Sequence, residues 1–239
     1  MRPLTTHQPP AAASPMSEWS DDRNNRIVAP ASVLPQLNIA FRGHDCLVDI
    51  HPQAKIGLLK VEMHGSGSEV HIGAVPLSYA AFAAHMRIGE ACHVRIGDGV
   101  TTAARMVICA SEGASVTIGE DCMIATDVQI RTDDAHPIFD VRSGQRVNTS
   151  KDVVIGKHVW LAYGARCLGG SHVGDGSVIG MGSIVTSTIP NNCVAAGIPS
   201  RVIRRDAAWE RDHLALEPVP TSTTNGIATR RTCWQLTQD

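Results

Sequence analysis

The chain has 239 residues and a mass of 25.5 kDa, which is enough for one well-buried domain with tails. A formal net charge of −2 and a pI near 6.6 offer no basic field for nucleic acid, so we expect no nucleic-acid partner. No apolar run approaches the ~18 residues that a membrane span needs.

The chain begins with a Pro/Ala/Ser-rich stretch, MRPLTTHQPPAAASP. This stretch lacks the apolar centre of a secretory signal, and we predict a flexible N-terminal arm over 1–35. The seven cysteines are odd in number and scattered, without a C-x-x-C pair, which favours a reducing cytoplasm as the location.

A repeat organises most of the remaining chain. Isoleucine followed by glycine recurs at Ile56, Ile72, Ile88, Ile96 and Ile118. Six consecutive hexads then start between 155 and 185, and each begins with a residue that suits a narrow interior, namely Ile155, Leu161, Cys167, Val173, Ile179 and Val185. Four positions later in the first five hexads stand the smaller residues Val159, Ala165, Ser171, Ser177 and Ser183.

A period of six fits neither an amphipathic helix nor a plain alternating strand. It predicts a parallel β-helix over 36–204, in which three hexads make one triangular coil and roughly seven coils stack on one another. Glycine follows the hexad's aliphatic residue at 156, 174 and 180. We expect tight corners there that leave no room for a Cβ atom.

One long polar segment, 131–152, interrupts the repeat and is predicted to be a projecting loop. Loops on rigid scaffolds often carry functional sites. His136 can take a proton near neutral pH, and Asp133 or Asp134 can fix its tautomer. We prefer Asp134, because residues two apart in an extended loop point to the same side. The competing interpretation is a plain His-Pro turn, such as the one at His51.

Two features nearer the C-terminus predict a ligand contact and a short helix. Trp160 precedes the inward Leu161 and should point outward, where a large ring usually marks a contact with a ligand. Residues 201–216 have helical composition and predict a short C-terminal helix, which with a polar tail would fill 205–239.

The hexads IGKHVW, VGDGSV and IGMGSI, with HPIFD and KDVVIGKHVW, resemble the hexapeptide-repeat acyltransferases, closest to sugar and polysaccharide O-acetyltransferases. The resemblance implies that the β-helix is left-handed and that acetyl-CoA is the co-substrate. It also implies a homotrimer that holds CoA in a groove between subunits. His136 matches the general base that deprotonates the acceptor hydroxyl, while Trp160, Thr186 and Arg201 match positions that contact CoA.

Arg201 has a physical argument of its own, because a guanidinium group suits the anionic phosphates of CoA. A solvated surface cation is the alternative for this residue. The family's V-W-[IL]-G motif reads VWLAY here, so Ala162 and Tyr163 depart from the pattern. Together these observations predict an acetyl-CoA-dependent O-acetyltransferase that acts on a sugar or polysaccharide hydroxyl without a covalent acyl-enzyme.

Several alternatives remain or are set aside. N-acylation of an amino sugar or an antibiotic amine would use the same fold and base, and nothing in the sequence separates it from O-acylation. A purely structural β-helix would have no use for the 131–152 loop. A hydratase resembling γ-type carbonic anhydrases needs two zinc-binding histidines five residues apart, and no two of the eleven His have that spacing, so we expect no metal. A nucleotidyltransferase would need a phosphate-binding domain for which 1–55 is too short.

Overall fold

The computed structural model describes residues 15–76, 78–211, 223–224, 227–228 and 233–238. The chain winds into a parallel β-solenoid of about seven turns, as the repeat predicts. Successive coils contribute strands to three sheets of nine, seven and six strands, which form the faces of a triangular prism. We call these sheets face A, face B and face C.

Face A contains, in spatial order, β1 (Met16–Ser20), β2 (Arg26–Pro30), β4 (Leu47–Ile50), β6 (Glu69–Ile72), β8 (His93–Ile96), β11 (Val116–Ile118), β14 (Val153–Ile155), β17 (His172–Val173) and β20 (Thr188–Ile189). Face B contains β3 (Leu37–Phe41), β5 (Ile56–Met63), β7 (Phe82–Ile88), β10 (Met106–Ala110), β13 (Gln129–Arg131), β16 (Arg166–Cys167) and β19 (Ile184–Val185).

Face C contains β9 (Thr101–Thr102), β12 (Met123–Ile124), β15 (Trp160–Leu161), β18 (Val178–Ile179), β21 (Val194–Gly197) and β22 (Ser200–Arg204). A short 3₁₀ helix spans Ala31–Gln36, and β23 (Thr223–Thr224) pairs with β24 (Ile227–Ala228). In the part of the chain that the structure describes, no helix is long and apolar enough to cross a membrane.

The inward hexad residues form the core, which confirms the prediction. Every one of the eleven inward positions between 155 and 185 is at most 1% exposed. Parallel pairing places the inward residues of successive coils beside one another, so that Ile155 lies beside Val173 and Cys167 beside Val185. Each fully buried aliphatic side chain stabilises the prism by about 1.5–3 kcal/mol, and stacking is the only way the chain can bury it.

The corners confirm the expected crowding and add a detail. A Cβ atom on Gly119 would lie 2.7 Å from the carbonyl carbon of Gly156 in the next coil, so the residue at this corner, after a face A strand, must be small. The left-handed backbone conformation falls two residues later in the hexad, for example at Gly176 with φ of 69°. His158 occupies the same hexad position with φ of 51° and is strained without being glycine.

Coil length changes along the prism. On face B, Ile108 pairs with Ile130, 22 residues later, whereas Cys167 pairs with Val185, 18 residues later. Three hexads make 18 residues, so only the C-terminal coils follow the plain repeat. The N-terminal coils contain longer strands such as β5 and β7, and the 18-residue coil period appears only after residue 155.

Two predictions at the ends of the chain need correction. The short C-terminal helix is wrong over 201–211, because Ser200–Arg204 form a strand that pairs antiparallel with β21 and covers the free edge of the last coil. The remaining residues of that predicted helix, 212–216, lie outside the described residues. The flexible arm over 1–35 is wrong for 15–35, where β2 pairs with β4 and Trp19 stacks on Phe41 at 5.8 Å. Residues 1–14 lie outside the described part.

Candidate functional site

The 131–152 loop leaves the prism at the corner between faces B and A, after β13 and before β14. It folds back on itself as a hairpin, in which the Val147 N–H donates to the Ile138 carbonyl at 2.9 Å. A bridge between Phe139 and Arg146 continues the pairing. The loop therefore has a defined conformation, with Ile138, Phe139 and Val141 exposed at its tip.

Glu112, at the same corner of the preceding coil, anchors the loop. Its carboxylate forms an ion pair with Arg146 and accepts hydrogen bonds from the backbone N–H and the hydroxyl of Ser150, at 3.0 and 2.8 Å. The Arg146 hydrogen bond, followed by those from Ser150, lowers the pKa of Glu112 to about 2. This carboxylate is charged throughout the neutral range, and the anchor persists there.

His136 is exposed on this anchored loop. Its backbone carbonyl accepts a hydrogen bond from Asn148 Nδ2 at 2.8 Å, and the Ile138 N–H donates to Asn148 Oδ1 at 2.7 Å. One amide thus holds the backbone on both sides of His136. The sequence analysis missed Asn148, because an asparagine in a polar loop carries no signal of its partners.

The two candidate aspartates lie beside His136 along the chain but bond elsewhere. Asp134 accepts from Asn148 Nδ2 at 3.0 Å, and Asp133 accepts from the N–H of Ala135 at 3.0 Å, which supports the positive φ of that residue. The second oxygen of Asp133 is buried without a hydrogen-bond partner. Within the described residues neither carboxylate is hydrogen-bonded to the His136 ring, so the orienting role of either aspartate stays a prediction.

Trp160 lies on face C with its ring partly covered by the segment that follows β22. Its ring centroid is 6.1 Å from that of Trp209, at an interplanar angle of 47°. Trp209 is buried and stacks on His158 at 4.2 Å. Trp209 therefore packs against the prism, in a segment that is not helical.

The four main candidate residues fall into two groups. Thr186 follows β19 and is exposed at the same B-to-A corner as the loop with His136. Arg201 is exposed on β22 of face C, and its Nη1 donates to the Ser200 carbonyl at 2.9 Å. The half-buried Trp160 lies on β15 of the same face. In a triangular prism the corner between faces A and B lies opposite face C. One chain therefore separates His136 and Thr186 from Trp160 and Arg201.

A groove of about 410 Å³ lies along face A, at the C-terminal ends of its strands. In its lining, His71 contacts Asp49 at 3.3 Å and Lys157 contacts Glu120 at 3.2 Å. It contains none of the candidate site residues. Among the described residues no group of three or more His, Cys, Asp or Glu side chains is arranged to hold a metal ion.

The chain is similar to several proteins of known name, although no family model matches it. It is 40% identical over 101 residues to a polysialic acid O-acetyltransferase of Escherichia coli O1:K1 / APEC, covering 42% of this chain and 33% of that protein. It is 30% identical over 154 residues to a galactoside O-acetyltransferase of Lactococcus lactis, covering 64% and 69%. The chain spans between a third and just over half the length of the first curated relatives it matches.

Among solved structures, the crystal structure of the polySia-specific acetyltransferase NeuO superposes with a TM-score of 0.69. Sequence identity is 31%, and the match covers 81% of this chain and 88% of that one.

Proposed function

We propose that this chain, which belongs to the hexapeptide-repeat acetyltransferase family, transfers an acetyl group from acetyl-CoA to a hydroxyl of a sugar or polysaccharide. The observation that carries the proposal is the anchored loop at 131–152, which holds an exposed His136 at a corner of the prism. The printed names of the relatives, polysialic acid and galactoside O-acetyltransferases, support the same chemistry.

His136 acts as the general base. It takes the proton of the acceptor hydroxyl while that oxygen attacks the thioester carbonyl, and it returns the proton to the sulfur that leaves. Protons balance over the cycle and no acyl-enzyme is needed. Asp134 or Asp133 stabilises the imidazolium by charge, and Asn148 keeps the loop backbone in place.

The co-substrate fits face C. Trp160 offers a ring surface, and Arg201 offers an exposed guanidinium group for phosphate oxygens. Thr186, at the B-to-A corner, offers a hydroxyl on the side where His136 lies. Acetyl-CoA supplies the activated acyl group, while these residues bind and orient it.

The activity is tested by incubating the protein with acetyl-CoA and a panel of sugars, oligosaccharides, polysaccharides and amino sugars. Acceptor-dependent thiol release with formation of a base-labile ester is the expected result. An amide product would replace the proposal by N-acetylation. Thiol release no faster than without acceptor, across the whole panel, would contradict the proposed function.

Trp160→Ala and Arg201→Ala should each weaken CoA binding. The first loses ring surface, and the second loses a charged hydrogen bond of about 1.5–3 kcal/mol, which is a factor of ~10 to 150 in affinity. Calorimetry with CoA and with dephospho-CoA measures both effects. Arg95→Ala, an exposed arginine of face A, is the control and should bind as the wild type does. Unchanged affinity in both variants would remove these residues from the site.

The protein should form a homotrimer with its active sites between subunits. Since one chain separates His136 from Arg201, a site that uses both needs two copies, and a closed ring makes all such sites equivalent. Exposed apolar side chains on and beside face C, namely Tyr163, Met181 and Ile203, suit a subunit contact. Light scattering should give about three chain masses, and a monomer at micromolar concentration would refute this.

Complementation tests the shared site directly. Co-expressed His136→Ala and Arg201→Ala chains should regain part of the activity that each variant lacks alone, because some grooves then combine two intact residues. If no activity returns, both residues belong to one subunit's half of the site.

A further inference from the structure

The corner between faces A and C repeats one backbone conformation in five successive coils. The third residue after the last inward residue of each face A strand has a φ between 50° and 72°, at Gly99, Asp121, His158, Gly176 and Asn192. Glycine adopts this left-handed conformation freely, whereas a residue with a Cβ atom adopts it at a cost. Three of the five positions nevertheless have a side chain, and all three side chains contact the segment that follows β22.

That segment, residues 206–211, runs back along the corner, and we call it the strap. At one end the Ala207 N–H donates to the Asn192 carbonyl at 2.8 Å, and Asn192 Nδ2 donates to the Ala207 carbonyl at 3.2 Å. At the other end Arg211 donates to the Asp121 carboxylate at 2.7 Å and to a carbonyl oxygen of the first of the five coils at 3.0 Å. The strap therefore crosses all five coils, or about 19 Å of the stack.

Trp209 lies in the middle of the strap and is held by three contacts with His158. The two rings stack with their centroids 4.2 Å apart and their planes 12° apart. Trp209 Nε1 donates to the His158 carbonyl at 2.8 Å, and the Trp209 carbonyl oxygen lies 3.1 Å from His158 Nε2. The other ring nitrogen of His158 lies 2.7 Å from Asp121 Oδ2. Trp209 is only 7% exposed, so its position relative to the corner is fixed.

Trp209 also contacts Trp160, which comes two residues after His158. The ring centroids are 6.1 Å apart and the planes are tilted by 47°, within the range in which aromatic rings attract each other. Trp160 is half-buried, so part of its surface remains exposed to a ligand. The strap thus packs against the face C residue that the proposed function assigns to CoA.

The strain at the corner is concentrated beside this aromatic pair. Asparagine and aspartate are the residues with a side chain that most often adopt the left-handed conformation, and His158 is neither. Strained residues cluster at functional sites, where the surrounding structure holds them in place. The strained His158 is also the residue that stacks on Trp209, which indicates a role for the strap beyond covering the corner.

We propose that Trp209 is a positioning residue for the co-substrate, because it holds the Trp160 ring in the orientation that binds CoA. The inference rests on the proposed function, in which Trp160 contacts CoA, and it adds the strap to that site. A ring that is already fixed loses less conformational freedom when the ligand binds, and affinity is higher for that reason. His158 acts one step further away, since it holds Trp209.

Calorimetric titration of CoA into the full chain, without an acceptor, tests the role of Trp209. Trp209→Ala should bind CoA about 2- to 10-fold more weakly than wild type, whereas Trp209→Phe keeps a ring beside Trp160 and should bind within about twofold of wild type. In the Trp160→Ala background, Trp209→Ala should leave the affinity almost unchanged, because no ring remains to be positioned. A full additive loss in that background would overturn the proposal.

His158→Gly tests the same link without disturbing the corner, because glycine already occupies the equivalent position in two other coils, at Gly99 and Gly176. This change relieves the positive φ and removes the ring on which Trp209 stacks, so it should weaken CoA binding as Trp209→Ala does. Asn192→Gly is the same change at the same corner, two coils away, and serves as the control. It should bind CoA as the wild type does, and an equal loss there would overturn the assignment to Trp209.

Steady-state kinetics separates positioning from a loss of stability. Trp209→Ala and His158→Gly should raise KM for acetyl-CoA and leave kcat within about threefold, a split that destabilisation alone would not produce. If wild type binds CoA and both variants bind it equally tightly, the strap is only structural, and this inference fails while the proposed function stands. A wild-type protein that does not bind CoA would refute both.

Discussion

Replacing His136 with alanine should lower turnover by ~10² to 10⁴ and leave affinity for acetyl-CoA nearly unchanged. The acceptor hydroxyl is a poor nucleophile until its proton is removed, and a positioned base contributes that factor. His136 is exposed, and its backbone is held by Asn148 at the carbonyl. Loss of the imidazole removes the base without disturbing the anchor at Glu112. Steady-state kinetics with a confirmed acceptor measures the effect.

His51→Ala is the matched control for this prediction. His51 also precedes a proline, but its ring only caps a turn by accepting the Gln53 N–H at 3.1 Å. We expect turnover close to wild type. Activity of His136→Ala within threefold of wild type would exclude the proposed base.

Replacing Arg211 with alanine should lower the free energy of unfolding by about 3 kcal/mol, more than any other arginine substitution proposed for this chain. Its guanidinium donates to the Asp121 carboxylate at 2.7 Å and to the Thr101 hydroxyl at 2.9 Å. It also donates to the carbonyl oxygens of Gly99, Asp121 and Cys122 at 2.9–3.0 Å. Its side chain is only 19% exposed and lies 4.6 Å over the Tyr79 ring. Truncation leaves these acceptors without their partner.

Denaturant unfolding followed by tryptophan fluorescence checks this effect, because Trp209 lies 5.9 Å from the Arg211 guanidinium and reports on the same segment. Arg204→Ala, an exposed arginine on β22, serves as the control and should stay within about 0.5 kcal/mol of wild type. An Arg211→Ala protein as stable as that control would mean that water replaces the lost contacts.

The cluster around Arg211 illustrates a limit of sequence reasoning. Tyr79 comes from the break in the repeat after Ile72, Asp121 from a corner, and Trp209 from beyond the last coil. Nothing in their spacing indicates that they meet. The same holds for Asn148 and Glu112, which bond to Ile138, 10 residues away, and to Ser150, 38 residues away, respectively.

The sequence by itself determined the coil, because a hexad's inward residues and its crowded glycines are set within six neighbouring positions. It also determined the place of the loop, since a polar segment cannot be buried in a prism filled by aliphatic side chains. Left-handedness came from resemblance, as periodicity does not specify the hand. Tertiary structure alone decided that the chain past residue 200 is a strand, that the first coil begins before residue 36, and that His136 and Arg201 lie on opposite sides. Those outcomes depend on which free sheet edge is paired and on the register between strands that are 18 or more residues apart. A pattern within six neighbouring positions contains no information about either of these.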